Sequence, residues 1–484
     1  MKRLKKVICL TLASVIVLLS SSMVMANTTN FIMDTDGEMI QIPETYTVTG
    51  SIKNLGEYNT LTNAEDLYYC NGYLYVADTA NNRVLKMTKS GEVVLELTSF
   101  VIEGEEYSLT SPKGVWVSGT TGEIRVADTG NLRIVCFNEK GEAIAIYGKP
   151  DSDILQDGNF TFDVEKICVN NMGYMFALKG ANMMKLSSKN DFLGYIGSVD
   201  VGFDLKRMLI RTFGTKKQIE ATEKLEPTSY NNFTIGADGN IYGVLAEGTS
   251  GQIRRLNSVG NNTYPEQAYG FIWIDPKTYL PTEPAFNDIA VDKDGIITVI
   301  DQNTGLIYQY DTEGNLLTTF GGIGSREGTF SSPCSIVVDE DGKLYVLDYS
   351  ANSIQIFEPT NFIELVHQAI ILQAGGYYED AKEYWNDVLD IDANYSLAHK
   401  CIGKILYKEG DYKSSANHYK LANDKEGYSN SFGERRHNFF RDFFFLIIVV
   451  IFILAFAVGK LFALIKKKAD TWSFNIEMRG DMDR

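Results

Sequence analysis

The chain repeats itself about every fifty residues, and that period limits the folds open to it. The segment Val76-Ala77-Asp78-Thr79-Ala80-Asn81-Asn82-Arg83-Val84 recurs as Val126-Ala127-Asp128-Thr129-Gly130-Asn131-Leu132-Arg133-Ile134. Weaker copies are Phe176-Ala177-Leu178, Val244-Leu245-Ala246, Val299-Ile300-Asp301 and Val346-Leu347-Asp348. Aligned on Asp78, Asp128, Leu178, Leu245, Asp301 and Asp348, the steps are 50, 50, 67, 56 and 47 residues. The two long steps contain insertions at 203–226 and 264–284. Within a unit, apolar and polar residues alternate with the period of two that half-buried strands require. Ile336-Val337-Val338, then Asp341-Gly342, then Leu344-Tyr345-Val346 reads as strand, tight turn and strand, with Asp-Gly supplying the positive φ that the turn needs. Asp238-Gly239 and Asp294-Gly295 mark the same turn in other units, and Ser90-Gly91, Lys140-Gly141 and Glu313-Gly314 mark a last turn. Four short antiparallel strands per unit, repeated six times about an axis, predict a mainly β fold, a six-bladed β-propeller over 27–360.

The last unit is one strand short. After Ile354-Gln355-Ile356-Phe357 the pattern turns helical at Asn361, while Thr45 to Ile52 is a strand-like run with no unit of its own. This N-terminal run is expected to supply the missing outer strand and close the ring, which removes free strand edges. In the insertion at 203–226, Leu205, Met208, Leu209 and Phe213 have helical spacing and predict an amphipathic helix lying on the propeller. The insertion at 264–284 carries Tyr264, Tyr269, Phe271, Trp273 and Tyr279. Tyr269, Phe271 and Trp273 are candidate aromatics for binding a partner or a sugar; the alternative is that they pack an outer strand.

The Asp-Thr-x-Asn-x-Arg turns at 78–83 and 128–133, with Ser-Pro before Lys113 and before Cys334, resemble NHL repeats. Those repeats build six-bladed propellers related to regucalcin and gluconolactonase. The resemblance runs from Asn54 to Pro359 and is sharpest in units one, two, five and six. It implies the fold and leaves function open, because propellers host many roles. Asp78, Arg83, Asp128 and Arg133 are expected to do structural work, the carboxylates capping their turns and pairing with the arginines. Some propellers of this group carry zinc and hydrolytic or lyase chemistry on channel histidines, but His367, His399, His418 and His437 all follow the repeats here. Lactonase-like relatives hold a divalent cation at the channel mouth with Glu, Asn and Asp from several blades. The resemblance offers Glu65, Asp66, Glu165, Asn232, Asn287 and Asp288 for that role, oxygen donors suited to Ca2+ or another divalent cation. Lys113 and Lys166 lie among them and would oppose a cation, and Asn63-Ala64-Glu65-Asp66 stands where the lactonases have Glu-Gly-Pro.

From Asn361 the period becomes helical. Gly376-Tyr377-Tyr378-Glu379-Asp380-Ala381 is followed 34 residues later by Gly410-Asp411-Tyr412-Lys413-Ser414-Ser415, the tetratricopeptide period. Two such TPR-like repeats are expected over 361–424, as a groove for a partner segment or as a spacer. A pre-membrane helix at 425–442 then leads into 443–465, which is apolar except for Lys460. At ~1.5 Å per residue this stretch makes a helix about 34 Å long, enough to cross a bilayer core. Lys466, Lys467 and Lys468 mark the cytoplasmic side and leave 466–484 as a short cytoplasmic tail. At the other terminus Lys2, Arg3, Lys5 and Lys6 precede the apolar run Val7 to Leu19, and small residues end in Val24-Met25-Ala26. That is the pattern of a signal peptide over 1–26. The expected topology is single-pass in the cell membrane, with propeller and TPR-like repeats outside the cytoplasm.

Charge and motifs narrow the function further. A formal charge of −17 argues against a nucleic-acid partner. Of six cysteines Cys9 falls in the signal, and the other five show no paired or zinc-like spacing, so no disulfide framework is expected. No phosphate-binding glycine loop or nucleophile elbow is present, and no catalytic residue is assigned. The expected function is a binding or scaffold module that takes a protein or glycan through the propeller and a membrane-complex partner through the TPR-like helices. The alternative is a divalent-metal-dependent, lactonase-like hydrolase.

Overall fold

Three turns and four strands make a blade, and side-chain carboxylates hold the turns. At the first turn of the sixth blade, Asp339 Oδ1 accepts from Asp341 N and Lys343 N at 3.0 and 2.9 Å, while Gly342 takes φ 81°. Asp292 does the same in the fifth blade, accepting from Asp294 N and Ile296 N at 2.9 and 2.8 Å. Each carboxylate satisfies backbone donors that the tight turn leaves over, which fixes the register of the flanking strands. The second turn uses the repeated Asp. Asp78 is fully buried and accepts from Thr62 N, Asn81 Nδ2 and Arg83 Nε at 2.8, 2.9 and 2.7 Å. Asp128 is held likewise by Thr110 N, Asn131 Nδ2 and Arg133 Nε at 2.7, 2.9 and 2.7 Å. Thr79 and Thr129 donate onward to Pro112 O and Val164 O, at 2.8 and 2.7 Å, in the segments leading into the next blade. One turn thus ties its blade to the loop before it and to the blade after it.

The computed structural model describes residues 30–33, 37–152, 155, 160–196, 229–246, 248, 250–274 and 281–482. The predicted signal peptide at 1–26 and the predicted helix at 203–226 lie outside the described residues. Six antiparallel sheets, at 66–97, 114–147, 166–195, 230–256, 286–321 and 333–359, form the blades of a six-bladed propeller. Each innermost strand contacts the next, and Pro333–Val338 returns to Asp66–Cys70, which closes the ring. Tyr46–Ile52 supplies the outer strand of blade six, paired from Ile354↔Ile52 to Pro359↔Tyr46, so the expected closure by an N-terminal strand forms. Blade four has three strands among the described residues. A hairpin that the repeat did not signal, Phe31–Met33 with Met39–Gln41, extends the outer edge of blade five through Phe31↔Thr319. The core lies between blades, as where Leu67, Val76 and Leu85 of blade one meet Leu347 and Ile354 of blade six. Both faces of every sheet are therefore apolar, and the alternation seen in the sequence separates two cores rather than core from solvent.

Five helices follow, and the chain divides into two compact units, Met1–Tyr395 and Ser396–Arg484. The first unit contains α1 (Asn361–Ala374) and α2 (Tyr378–Ile391). Trp385 Nε1 donates to Gln373 Oε1 at 3.1 Å between them, and Tyr395 OH donates to Leu317 O of blade five at 2.8 Å, which anchors the pair. The second unit contains α3 (Ser396–Glu409), α4 (Tyr412–Leu421) and α5 (Lys425–Met482). Asp411 caps α4 by accepting from Ser414 N at 3.1 Å, and Ser415 Oγ donates to Gly403 O at 2.8 Å across to α3. α5 is one helix of 58 residues that runs through 425–442, the apolar stretch 443–465 and on to Met482, since no proline follows Pro359 to break it. Among the described residues it is the one helix long and apolar enough to cross a membrane, by length and composition.

Candidate functional site at the channel mouth

The six innermost strands start at one end of the propeller axis, and their first residues meet there. Lys166 of blade three reaches across to Asp66 of blade one, the two forming a buried ion pair. Asp66 Oδ2 accepts from Val115 N of blade two at 2.8 Å. Asp288 of blade five accepts from Ile336 N and Ser335 Oγ of blade six, both at 2.7 Å, and Ser335 Oγ accepts in turn from Leu67 N of blade one at 3.2 Å. Asn231 Nδ2 of blade four donates to Phe286 O at 2.7 Å, and Asn287 Nδ2 donates to Pro333 O at 2.8 Å. The network therefore stitches all six blades together. At the rim a second lysine, Lys113, lies 3.2 Å from Glu65 Oε2 and 3.1 Å from Glu165 Oε1. A Cβ on Gly114, the next residue, would stand 2.4 Å from Glu165 O, so glycine is what lets blades two and three approach here.

Burial opposes the charge on Lys166, but attraction to Asp66 and Asp288 outweighs it and holds the ammonium well above its ordinary range. Burial also pushes the Asp288 carboxyl up to about 6, against the pull of Lys166 and its two hydrogen bonds. For Lys113 burial again acts against the charge, and Glu65 and Glu165 raise it. The Cys168 thiol is pushed up to about 12 by burial, which makes it inert beside this network. Glu65, Asp66, Lys113, Glu165 and Lys166 line a cavity of about 370 Å³ to which all six blades contribute. Asn287 Oδ1 is buried with no hydrogen-bond partner, and Tyr349 stands at the cavity wall.

The oxygen donors expected for a divalent cation are all here, and the chain has already engaged most of them. Glu65, Asp66, Glu165 and Asp288 answer two ammonium groups, and Asn232 Oδ1 turns back to Phe233 N at 2.8 Å. Among the described residues no group of three or more His, Cys, Asp or Glu is placed to hold a metal ion. These residues do not fit a divalent cation, because Lys113 and Lys166 supply its charge. The pairing had a signal in the repeat. Asp66, Lys166 and Asp288 occupy one position of units one, three and five, and opposite charges at one level of a closed ring face each other.

No known protein family and no curated protein matches the sequence. Solved structures match in shape. They include virginiamycin B lyase from Staphylococcus aureus, 13% identical over 68% of this chain and 87% of that one, with a TM-score of 0.38. Hydrazine synthase from Kuenenia stuttgartiensis is 9% identical over 62% of this chain and 96% of that one, with a TM-score of 0.39. A Bacteroides thetaiotaomicron protein of unknown function is 10% identical over 67% and 80%, with a TM-score of 0.42. At these values none of them bears on the chemistry of this chain.

The candidate aromatic patch comes apart in the structure. Tyr269 is 1% exposed, stacks on Tyr264 and donates its hydroxyl to Pro265 O at 2.7 Å, so it is a core residue and presents nothing to a partner. Phe271 is half-buried, edge-on to Phe31. Trp273, at 45% exposed, is the one of the three that faces solvent to a large extent. A tyrosine whose hydroxyl finds a backbone acceptor can be buried whole, and composition cannot distinguish that from display.

Proposed function

We propose that this chain is an exported, membrane-anchored propeller that works as a binding or scaffold module in an extracytoplasmic complex. The observation that carries this proposal is the mouth, a hollow lined by all six blades where charged groups are paired with one another. What remains for a ligand is the Asn287 side-chain Oδ1, the Tyr349 side chain at the wall and the outer atoms of the Lys113 bridge. Such a surface recognises hydroxyl- and amide-rich molecules, a glycan or an exposed protein segment, by placed hydrogen bonds. Export rests on the residues at 1–26, anchoring on 443–465 within α5, and orientation on Lys466 to Lys468. The 34-residue period supports a TPR-like assignment of α1 with α2 and of α3 with α4, helix pairs of the kind that take a partner segment.

Full-length protein in neutral detergent, presented to glycan and peptide arrays, tests the mouth. Asn287→Ala and Tyr349→Phe are expected to weaken a specific ligand about tenfold each; Tyr349→Phe should leave the melting temperature unmoved, whereas Asn287→Ala should lower it slightly, because the bond from Nδ2 to Pro333 O is lost as well. Metal analysis of the same preparation is expected to leave melting indifferent to calcium and chelator. A stoichiometric divalent cation whose melting shift is lost in Asp288→Asn would replace the binding proposal with a metal-dependent, lactonase-like one.

A further inference from the structure

A second cavity, of about 590 Å³, lies where the innermost strands end. The first turns of blades five and six, Tyr69 of blade one and α1 bound it. The two turns are copies of each other, Asp292-Lys293-Asp294-Gly295 and Asp339-Glu340-Asp341-Gly342. Among the described residues, only the second is paired with a cation of the chain. Lys89, on the last turn of blade one, places Nζ 2.8 Å from Asp339, 2.9 Å from Glu340 and 3.4 Å from Asp341, and 5.5 Å from the centre of the Tyr69 ring.

By the same geometry the blade-five turn would take its basic residue from the last turn of blade six. Blade six has no such turn, because its outer strand comes from Tyr46–Ile52 and the chain leaves Ser353–Pro359 directly into α1. Glu364, His367 and Gln368 of α1 line the cavity there instead. Burial lowers the His367 imidazole to about 4, and its Nε2 lies 3.1 Å from Gln309 Oε1, so it brings no positive charge. Lys293 lines the same cavity but is exposed and, among the described residues, makes no ion pair; among them no lysine or arginine pairs with Asp292, Asp294 or Glu364.

We infer that this cavity binds an alkylammonium, a primary ammonium on an aliphatic stem, as carried by a diamine or by a lysine side chain. The ammonium does for the blade-five turn what Lys89 does for the blade-six turn. Val291, Ile296 and Ile371 give the stem an apolar wall, and the Tyr69 hydroxyl, buried without a partner, is an acceptor beside it. Burial pushes the Asp292 carboxyl up to about 6, so a cation here meets a carboxylate that solvent serves poorly. The site is at the opposite end of the strands from the mouth and stands whether or not the mouth binds anything.

Calorimetric titration of full-length protein in neutral detergent at neutral pH, with 1,5-diaminopentane, spermidine and a tetralysine peptide, tests this. The expected result is saturable one-to-one binding with Kd below about 1 mM, weakened about tenfold or more in the Asp294→Asn, Glu364→Gln double variant at unchanged melting temperature. Glu139→Gln, at an exposed acid elsewhere on the propeller, is the control and should bind as the wild type does. Binding of the diamines alone assigns a free amine as the source; binding of the peptide alone assigns a lysine side chain of a protein. No saturable heat with any probe, or equal affinity in the double variant, overturns the inference. Should the double variant not fold, Lys89→Met serves instead. It releases three more carboxylates at the same rim and is expected to tighten binding severalfold, and no change overturns the inference equally.

Discussion

The two ends of the propeller axis are both rich in carboxylates, and they differ in what answers them. At the mouth Lys166 faces Asp66 and Asp288, and Lys113 faces Glu65 and Glu165, so acids from three blades are matched within the ring. At the far end Lys89 matches the turn of blade six, and among the described residues nothing equivalent reaches the turn of blade five. The difference follows from how the ring closes. Every blade contributes an innermost strand, so the mouth receives all six of its repeat positions. The last turn exists only where the third and fourth strands are consecutive in sequence, and blade six borrows its fourth strand from the N-terminus. Closure protects the strand edges and removes one position from the far end. A matched end becomes rigid and selective by hydrogen bonds, whereas an unmatched end retains affinity for a cation.

The sharpest way to break this contrast is to remove the cation that matches the mouth. Lys166→Met leaves Asp66 and Asp288 buried with no ammonium between them, and breaking a buried pair from one side costs about 3–5 kcal/mol. Urea unfolding of the full-length protein, followed by far-ultraviolet circular dichroism, should show a loss of that size, partly recovered when Asp66→Asn is added. A loss under about 1 kcal/mol would mean that the mouth does not depend on charge matching.

Acid should move the two ends in opposite directions. Asp288 has its carboxyl raised to about 6 in the folded state, so folding favours its protonated form, and its contribution to stability falls as pH rises from about 4 through 6. Relative to Asp288→Asn, the wild type should therefore gain stability on going from pH 7 to pH 5. His367 is lowered to about 4, so its contribution is present above the ordinary imidazole range and is lost as pH falls through it. Relative to His367→Gln, the wild type should lose stability over the same interval. At about 1.4 kcal/mol per pKa unit, and discounting for relaxation, each difference is about 1–2 kcal/mol. Parallel slopes in the two comparisons would remove the electrostatic distinction between the ends.

The ring was legible in the sequence because it rests on local chemistry that recurs from unit to unit. Asp-Gly pairs, the Asp at the second turn and period-two alternation each act within a few residues, and the strand shortage of blade six could be counted. The mouth was half legible. Glu65, Asp66, Glu165 and Asp288 could be placed together by repeat position, but whether they meet a metal or a lysine depends on which way Lys113 and Lys166 point across the axis. At the far end the missing strand and the helix that follows were legible, but not that the turn lost with that strand leaves the blade-five carboxylates facing α1. Tyr269 shows the same limit on a smaller scale, since the Pro265 carbonyl that lets it be buried comes from a loop with no repeat behind it.

The smallest expected effect on stability is also the most direct test of the contrast. Lys113 is 30% exposed in its side chain, and its partners Glu65 and Glu165 are more exposed still, so the bridge is screened by water and salt. Lys113→Met should therefore change unfolding free energy by less than about 1 kcal/mol, and by nothing measurable at high ionic strength. Its effect on binding should be larger than its effect on folding. With Lys113 gone, two carboxylates face each other across the rim with no cation of the chain between them, which is the condition already found around Asp292, Asp294 and Glu364. The variant mouth should acquire weak affinity for 1,5-diaminopentane, with Kd of about 1–10 mM, measured in the Asp294→Asn, Glu364→Gln background to silence the far end. If that triple variant stays indifferent to the diamine, matching by lysine is not what separates the ends, and the shape of the far cavity under α1 has to account for the difference.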